Sequence, residues 1–121
     1  MSHPEPAGPA AAIAAALTAL GVGPDDRVLI MLSDGPGLAE ALFGVTQRGA
    51  VALPVNPQLA AADVAAIAAR TGARLVLAST KPTRRLANLG AAPPVLVEGV
   101  RELWATTLRP PREGDGDPPF S

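Results

Sequence analysis

The chain has 121 residues, ten Lys and Arg against eleven Asp and Glu, and a formal net charge of −1. That length allows one domain at most, and the dispersed, balanced charge excludes the clustered basic footprint of a nucleic-acid binder. With no Cys and a single His, His3, disulfide frameworks, thiolate chemistry, Cys-based metal sites and Ser-His-Asp catalysis are excluded as well.

Apolar residues make up 48% of the chain, but twenty-five residues are Ala and the only aromatics are Phe43, Trp104 and Phe120. An Ala side chain buries little area, and burial is worth about 25 cal/mol per Å². The expected core is thin for its apolar count, and its stability marginal.

Residues 1–8 hold prolines, a glycine and no periodicity, and read as a disordered tail. The run from Ala10 to Leu20 is apolar, but Glu5 and the lack of Lys or Arg before it do not fit a signal peptide. The run is also too short to cross a bilayer, so a soluble, cytoplasmic protein with no membrane partner is expected. Pro9 opens a helix that runs to about Leu20, since proline lacks an N–H that would be orphaned there anyway. Ile13, Leu17 and Leu20 form its apolar stripe, and Gly21 ends it.

Arg27–Leu32 is a continuous apolar run after its first residue, the mark of a strand buried on both faces. Asp34-Gly35-Pro36-Gly37 is a turn, and Pro36 opens a second helix with Leu38, Leu42 and Val45 as its stripe and Gly49 as its stop. Ala50–Val55 is a second strand, which Pro54 marks as ending or lying at a sheet edge. Asn56-Pro57 is a turn. Ala61–Thr71 is a third helix, striped by Val64 and Ile67 and stopped by Gly72. Arg74–Ala78 is a third strand, Pro82–Leu89 a short helix, Pro94–Val97 a fourth strand and Val100–Leu108 a last short helix. Residues 109–121 read as a Pro/Gly-rich linker. Strands separated by helices of this length predict βαβ units. The expected fold is three-layer α/β, a mostly parallel sheet of about four strands with flanking helices over residues 9–108.

Each motif with chemical potential also has a plain structural reading. Ser33–Glu40 follows a strand and opens a helix, the place of a dinucleotide-binding turn. Glu40 stands where that turn needs its third glycine, and a carboxylate there repels a pyrophosphate. Ser79-Thr80-Lys81-Pro82 has the letters of a phosphate loop without the glycines that let backbone N–H groups wrap an anion. Lys81, Arg84 and Arg85 read as a solvated helix start. Asp25-Asp26 precedes a strand, where turn propensity accounts for it, and Asp115 with Asp117 lies in the linker. Neither pair has a partner for general acid–base work. Trp104 reads as a packing residue. Catalytic, cofactor-binding and metal-binding residues are all expected to be none.

Three segments carry a family resemblance. Leu20-Gly21-Val22-Gly23-Pro24-Asp25-Asp26-Arg27-Val28 resembles L-G-V-x-x-G-D-R-V of the AMP-forming acyl-CoA synthetases. Gln47-Arg48-Gly49-Ala50-Val51-Ala52-Leu53-Pro54-Val55-Asn56-Pro57 resembles that family's K-A-G-A-x-x-x-P-L-N-P block. Thr71-Gly72-Ala73-Arg74-Leu75-Val76-Leu77 resembles its S-G-A-R strand. The wording is most similar to the benzoate and aryl-CoA ligase branch. Two positions depart from the pattern. Ala60 and Ala61 replace a capping Ser or Thr followed by Pro, a loss of about 1 kcal/mol. Gly37 replaces a Glu that would favour a helix N-terminus.

The resemblance implies the N-terminal subdomain of an acyl-adenylate-forming ligase. The end, Asp115-Gly116-Asp117-Pro118-Pro119-Phe120-Ser121, resembles the lead-in to the family's phosphate loop. It implies that this loop, a Ser/Thr/Gly-rich run ending in Pro-Lys, and a late catalytic lysine lie beyond Ser121. The expectation is a truncated or split synthetase, inactive alone and without cofactors of its own. It would use ATP, magnesium and CoA if complemented by a second polypeptide. The alternative is a non-catalytic interaction module that binds a partner subunit, or a second copy, through an exposed sheet edge.

Overall fold

A computed structural model describes residues 8–79, 90, 94–98, 100 and 103–108. Three helices and five strands follow in the order α1 (Pro9–Ala19), β1 (Arg27–Met31), α2 (Pro36–Arg48), β2 (Val51–Pro54), α3 (Ala61–Thr71), β3 (Leu75–Ala78), β4 (Val95–Leu96) and β5 (Trp104–Thr107). They build a single sheet of order β2-β1-β3-β5-β4.

The sheet forms around β1. Val28, Leu29, Ile30 and Met31 are all buried, and β1 pairs in parallel with β2 on one side and β3 on the other. Successive side chains of a strand point to opposite faces. Val28 and Ile30 therefore join Leu75 and Leu77 in a core closed by α1 and α2, while Leu29 and Met31 join Val76 and Ala78 under Val64 of α3. Helices on both faces of one sheet make the three layers. They also explain why β1 shows no polar alternation.

All three helices end in one way. Gly21, Gly49 and Gly72 have φ of 86°, 89° and 74°, a conformation that costs a residue with a Cβ roughly 1–2 kcal/mol. The amide that follows each glycine bonds back to the last turn: Val22 to Leu17 at 2.9 Å, Ala50 to Val45 at 3.1 Å and Ala73 to Ala68 at 3.2 Å. Val22, Ala50 and Ala73 are themselves buried. Each glycine thus reverses the chain and drops an apolar residue into the core ahead of the next strand.

Helices α1 and α2 pack closely. A Cβ built on Gly44 would lie 2.6 Å from Ile13 Cβ and Cγ2 and 3.0 Å from the Ala10 carbonyl oxygen. Gly44 on α2 is where Ile13 of α1 seats.

Two features of the sheet differ from the sequence-based expectation. The segment Val100–Leu108 is not a helix: Trp104–Thr107 forms β5, antiparallel to β3 through Leu75↔Thr107 to Ala78↔Trp104. An aromatic residue and two adjacent threonines lose side-chain freedom in a helix and suit a pleated surface. Pairing also satisfies the backbone groups of β3 that face away from β1. The sheet consequently has five strands rather than four and is mixed, with β4 also antiparallel to β5. The expected helix Pro82–Leu89, the linker 109–121 and the tail, apart from Gly8, lie outside the described residues.

Proline guards both sheet edges. The amides of Val51 and Val55 bond to the carbonyls of Asp26 and Ile30, so Ala52 and Pro54 face outward, and Pro54 has no N–H. On the far edge Val97 bonds to the Leu103 carbonyl at 2.7 Å, which by alternation turns Pro94 and Leu96 outward. Each edge therefore presents one outward N–H next to a proline, an arrangement that discourages strand addition.

Two stability predictions follow from the helices. Gly44→Ala forces α1 away from α2 and should destabilise the protein by about 1–3 kcal/mol. Gly37→Ala, on the same helix with open space around it, should be neutral or stabilise by up to about 1 kcal/mol. Urea unfolding of the pair separates the two effects. Helix α3 begins at Ala60, whose backbone is extended and whose side chain makes no cap. Ala60→Ser should raise stability by about 1 kcal/mol in the same assay.

Candidate functional site

In open α/β sheets ligands bind beyond the carboxyl ends of the strands, near the point where strand order reverses. Here the chain leaves β1 for β2 over one face, then crosses back beyond β1 to β3 over the other. An open cleft of about 430 Å³ lies at the carboxyl ends of β1 and β2, lined by Leu32, Ser33, Asp34, Leu38, Pro54, Val55, Asn56 and Pro57.

Two loops shape it. After β1, Gly35 takes φ 146° and caps α2 without a side-chain hydrogen bond, and Pro36 opens the helix. After β2, the Asn56 carboxamide oxygen accepts the Gln58 N–H at 2.8 Å and holds the Asn-Pro turn closed. Leu32, Leu38, Pro54 and Val55 provide an apolar lining, with Ser33 and Asp34 exposed on one wall. One wall comes from the Ser33–Glu40 segment weighed from the sequence as a dinucleotide-binding turn; the wall after β2 was read there only as a turn. The cleft's signal is two turn motifs, Asp34-Gly35-Pro36 and Asn56-Pro57, each following a parallel strand, which become neighbours only once β1 and β2 pair.

The cleft's chemistry is that of a shallow, apolar, mildly acidic surface. The open α2 N-terminus favours an anion in principle, but Asp34 carries a negative charge beside it. No Lys or Arg is among the lining residues. No group of three or more His, Cys, Asp or Glu converges on a metal position among the described residues. The cleft lining therefore offers an ATP phosphate no cationic side chain.

The other sequence candidates lie elsewhere. Asp25 and Asp26 sit at the amino end of the sheet, opposite the cleft, in structural roles. Asp25 adopts φ 70° in a tight turn, with its N–H bonded to the Gly49 carbonyl at 2.9 Å. Asp26 Oδ2 accepts the Gly23 N–H at 2.7 Å and lies 3.8 Å from the Arg74 guanidinium. Nearby, Arg48 Nε donates to the Val22 carbonyl at 2.8 Å. These contacts tie the α1–β1 connection to the end of α2 and the start of β3. Trp104 stands on β5, half-buried, and not on a helix. Ser79 is exposed at the end of β3. His3, Thr80, Lys81, Pro82, Arg84, Arg85, Asp115 and Asp117 lie outside the described residues. No described helix is long and apolar enough to cross a membrane.

The model of the AMP-binding enzyme family matches residues 5–116. The chain belongs to the AMP-binding enzyme family. It is 34% identical over 93 residues to a fatty acid–[acyl-carrier-protein] ligase of Streptomyces coeruleorubidus, a match covering 77% of this chain and 18% of that protein. It is 43% identical over 61 residues to a 3-hydroxybenzoate/4-hydroxybenzoate–CoA ligase of Thauera aromatica, covering 50% of this chain and 12% of that protein. Among solved structures, a benzoate CoA ligase from Burkholderia xenovorans superposes with a TM-score of 0.53 at 34% identity, over 56% of this chain and 14% of that one. The chain thus spans less than a fifth of the length of these relatives. Gln47–Pro57, one of the three segments that resemble family blocks, builds the end of α2, strand β2 and one wall of the cleft.

Two outcomes are expected. Asp26→Ala should cost about 1–2 kcal/mol by leaving the part-buried Gly23 N–H without its acceptor. Asp26→Asn, which keeps an acceptor oxygen, should cost less than half as much in urea unfolding. Magnesium–ATP at 1 mM should leave the melting temperature of the isolated chain unchanged. Ligand at about 100 times its Kd would add about 2.7 kcal/mol, a shift that differential scanning fluorimetry detects.

Proposed function

We propose that this chain is the opening α/β layer of an AMP-forming acid–thiol ligase. The complete enzyme joins a carboxylic acid to ATP, giving acyl-AMP and pyrophosphate, and then passes the acyl group to the CoA thiol with release of AMP. In this reading the chain is a scaffold. The Ser/Thr/Gly-rich phosphate loop and the catalytic lysine come from the remainder of the fold, on this or a second polypeptide, and the segment alone is inactive. The acid is an aryl or fatty acid, in line with the names of the relatives, and the setting is cytoplasmic, where ATP and CoA are supplied.

One observation carries the reading: the family match extends over residues 5–116, while the stretches of 93 and 61 residues aligned with the two ligases above span only 18% and 12% of those proteins. The cleft supports it, because an apolar surface without a lining cation suits a wall better than a nucleotide site.

The test is complementation. The chain is mixed with a separate polypeptide that begins at the phosphate loop of a related ligase. Acid-dependent exchange of radiolabelled pyrophosphate into ATP is then followed with benzoate, hydroxybenzoates and fatty acids. Exchange is expected from the mixture and from neither piece alone. Exchange by the chain alone would overturn the scaffold role, and none from the mixture with any acid would overturn the ligase assignment.

A further inference from the structure

We draw no further inference here: the strongest candidate, the outer edge of β4 with half-exposed Val95 and Leu96, carries nothing, because the outward N–H of Leu96 lies beside Pro94 and nothing in the structure shows what covers it.

Discussion

Everything in this molecule is organised by the burial of β1 on both faces. A strand covered by helices above and below cannot alternate polar and apolar side chains, so Val28 to Leu32 are apolar without a break. Two cores follow from that one run. Val28, Ile30 and Leu32 face α1 and α2; Leu29 and Met31 face α3. Removing β1 would leave β2 without its partner and both cores without their floor. The parallel pairing on each side also fixes which chain ends meet, and so where the cleft lies.

The helices that cover β1 solve a problem set by an Ala-rich composition. Small side chains bury little area, so packing has to come from close approach. At Gly44 that approach is taken to its limit, with Ile13 occupying the space of a missing Cβ. The second core has less to work with: Val64 is the one residue of α3 that is fully buried, with Ile67 and Ala68 packed at its margin. The three glycine helix ends compensate locally. Each reverses the chain within one residue, satisfies a carbonyl of the last turn, and returns an apolar residue to the core. The amino-end contacts among Asp26, Gly23, Arg74, Arg48 and Val22 then lock the connections that these reversals create.

Membership of the AMP-binding family joins this chain to enzymes several times longer, and the features that recur between them lie in the part that builds the sheet. The cleft at the carboxyl ends of β1 and β2 is lined by apolar and weakly acidic residues, with no cation among them. Its two polar turns are occupied by their own backbone, Asn56 by Gln58 and Gly35 by the start of α2. These properties suit the scaffold role proposed above. Proline at the two edges discourages strand addition there.

From the sequence, α1, β1, α2, β2, α3 and β3 were legible to within a residue or two, because each carries its own local signal. Pro9 and Pro36 open helices, Gly21, Gly49 and Gly72 close them, the runs between are apolar, and Pro54 marks an edge. The family was legible for the same reason, since its blocks coincide with those boundaries. Strand β4, expected over Pro94–Val97 and found at Val95–Leu96, was legible too; the segment after it was not. Val100–Leu108 has enough Leu and Ala spacing to suggest a helix. What makes Trp104–Thr107 a strand is a distant condition, the unpaired backbone of β3, which no local window contains. The cleft is non-local in the same way: Asp34 and Asn56 are twenty-two residues apart and become neighbours only through the pairing of β1 with β2. Local chemistry determined the elements and the lineage; hydrogen bonding between distant segments decided the fifth strand, the mixed sheet and the position of the site.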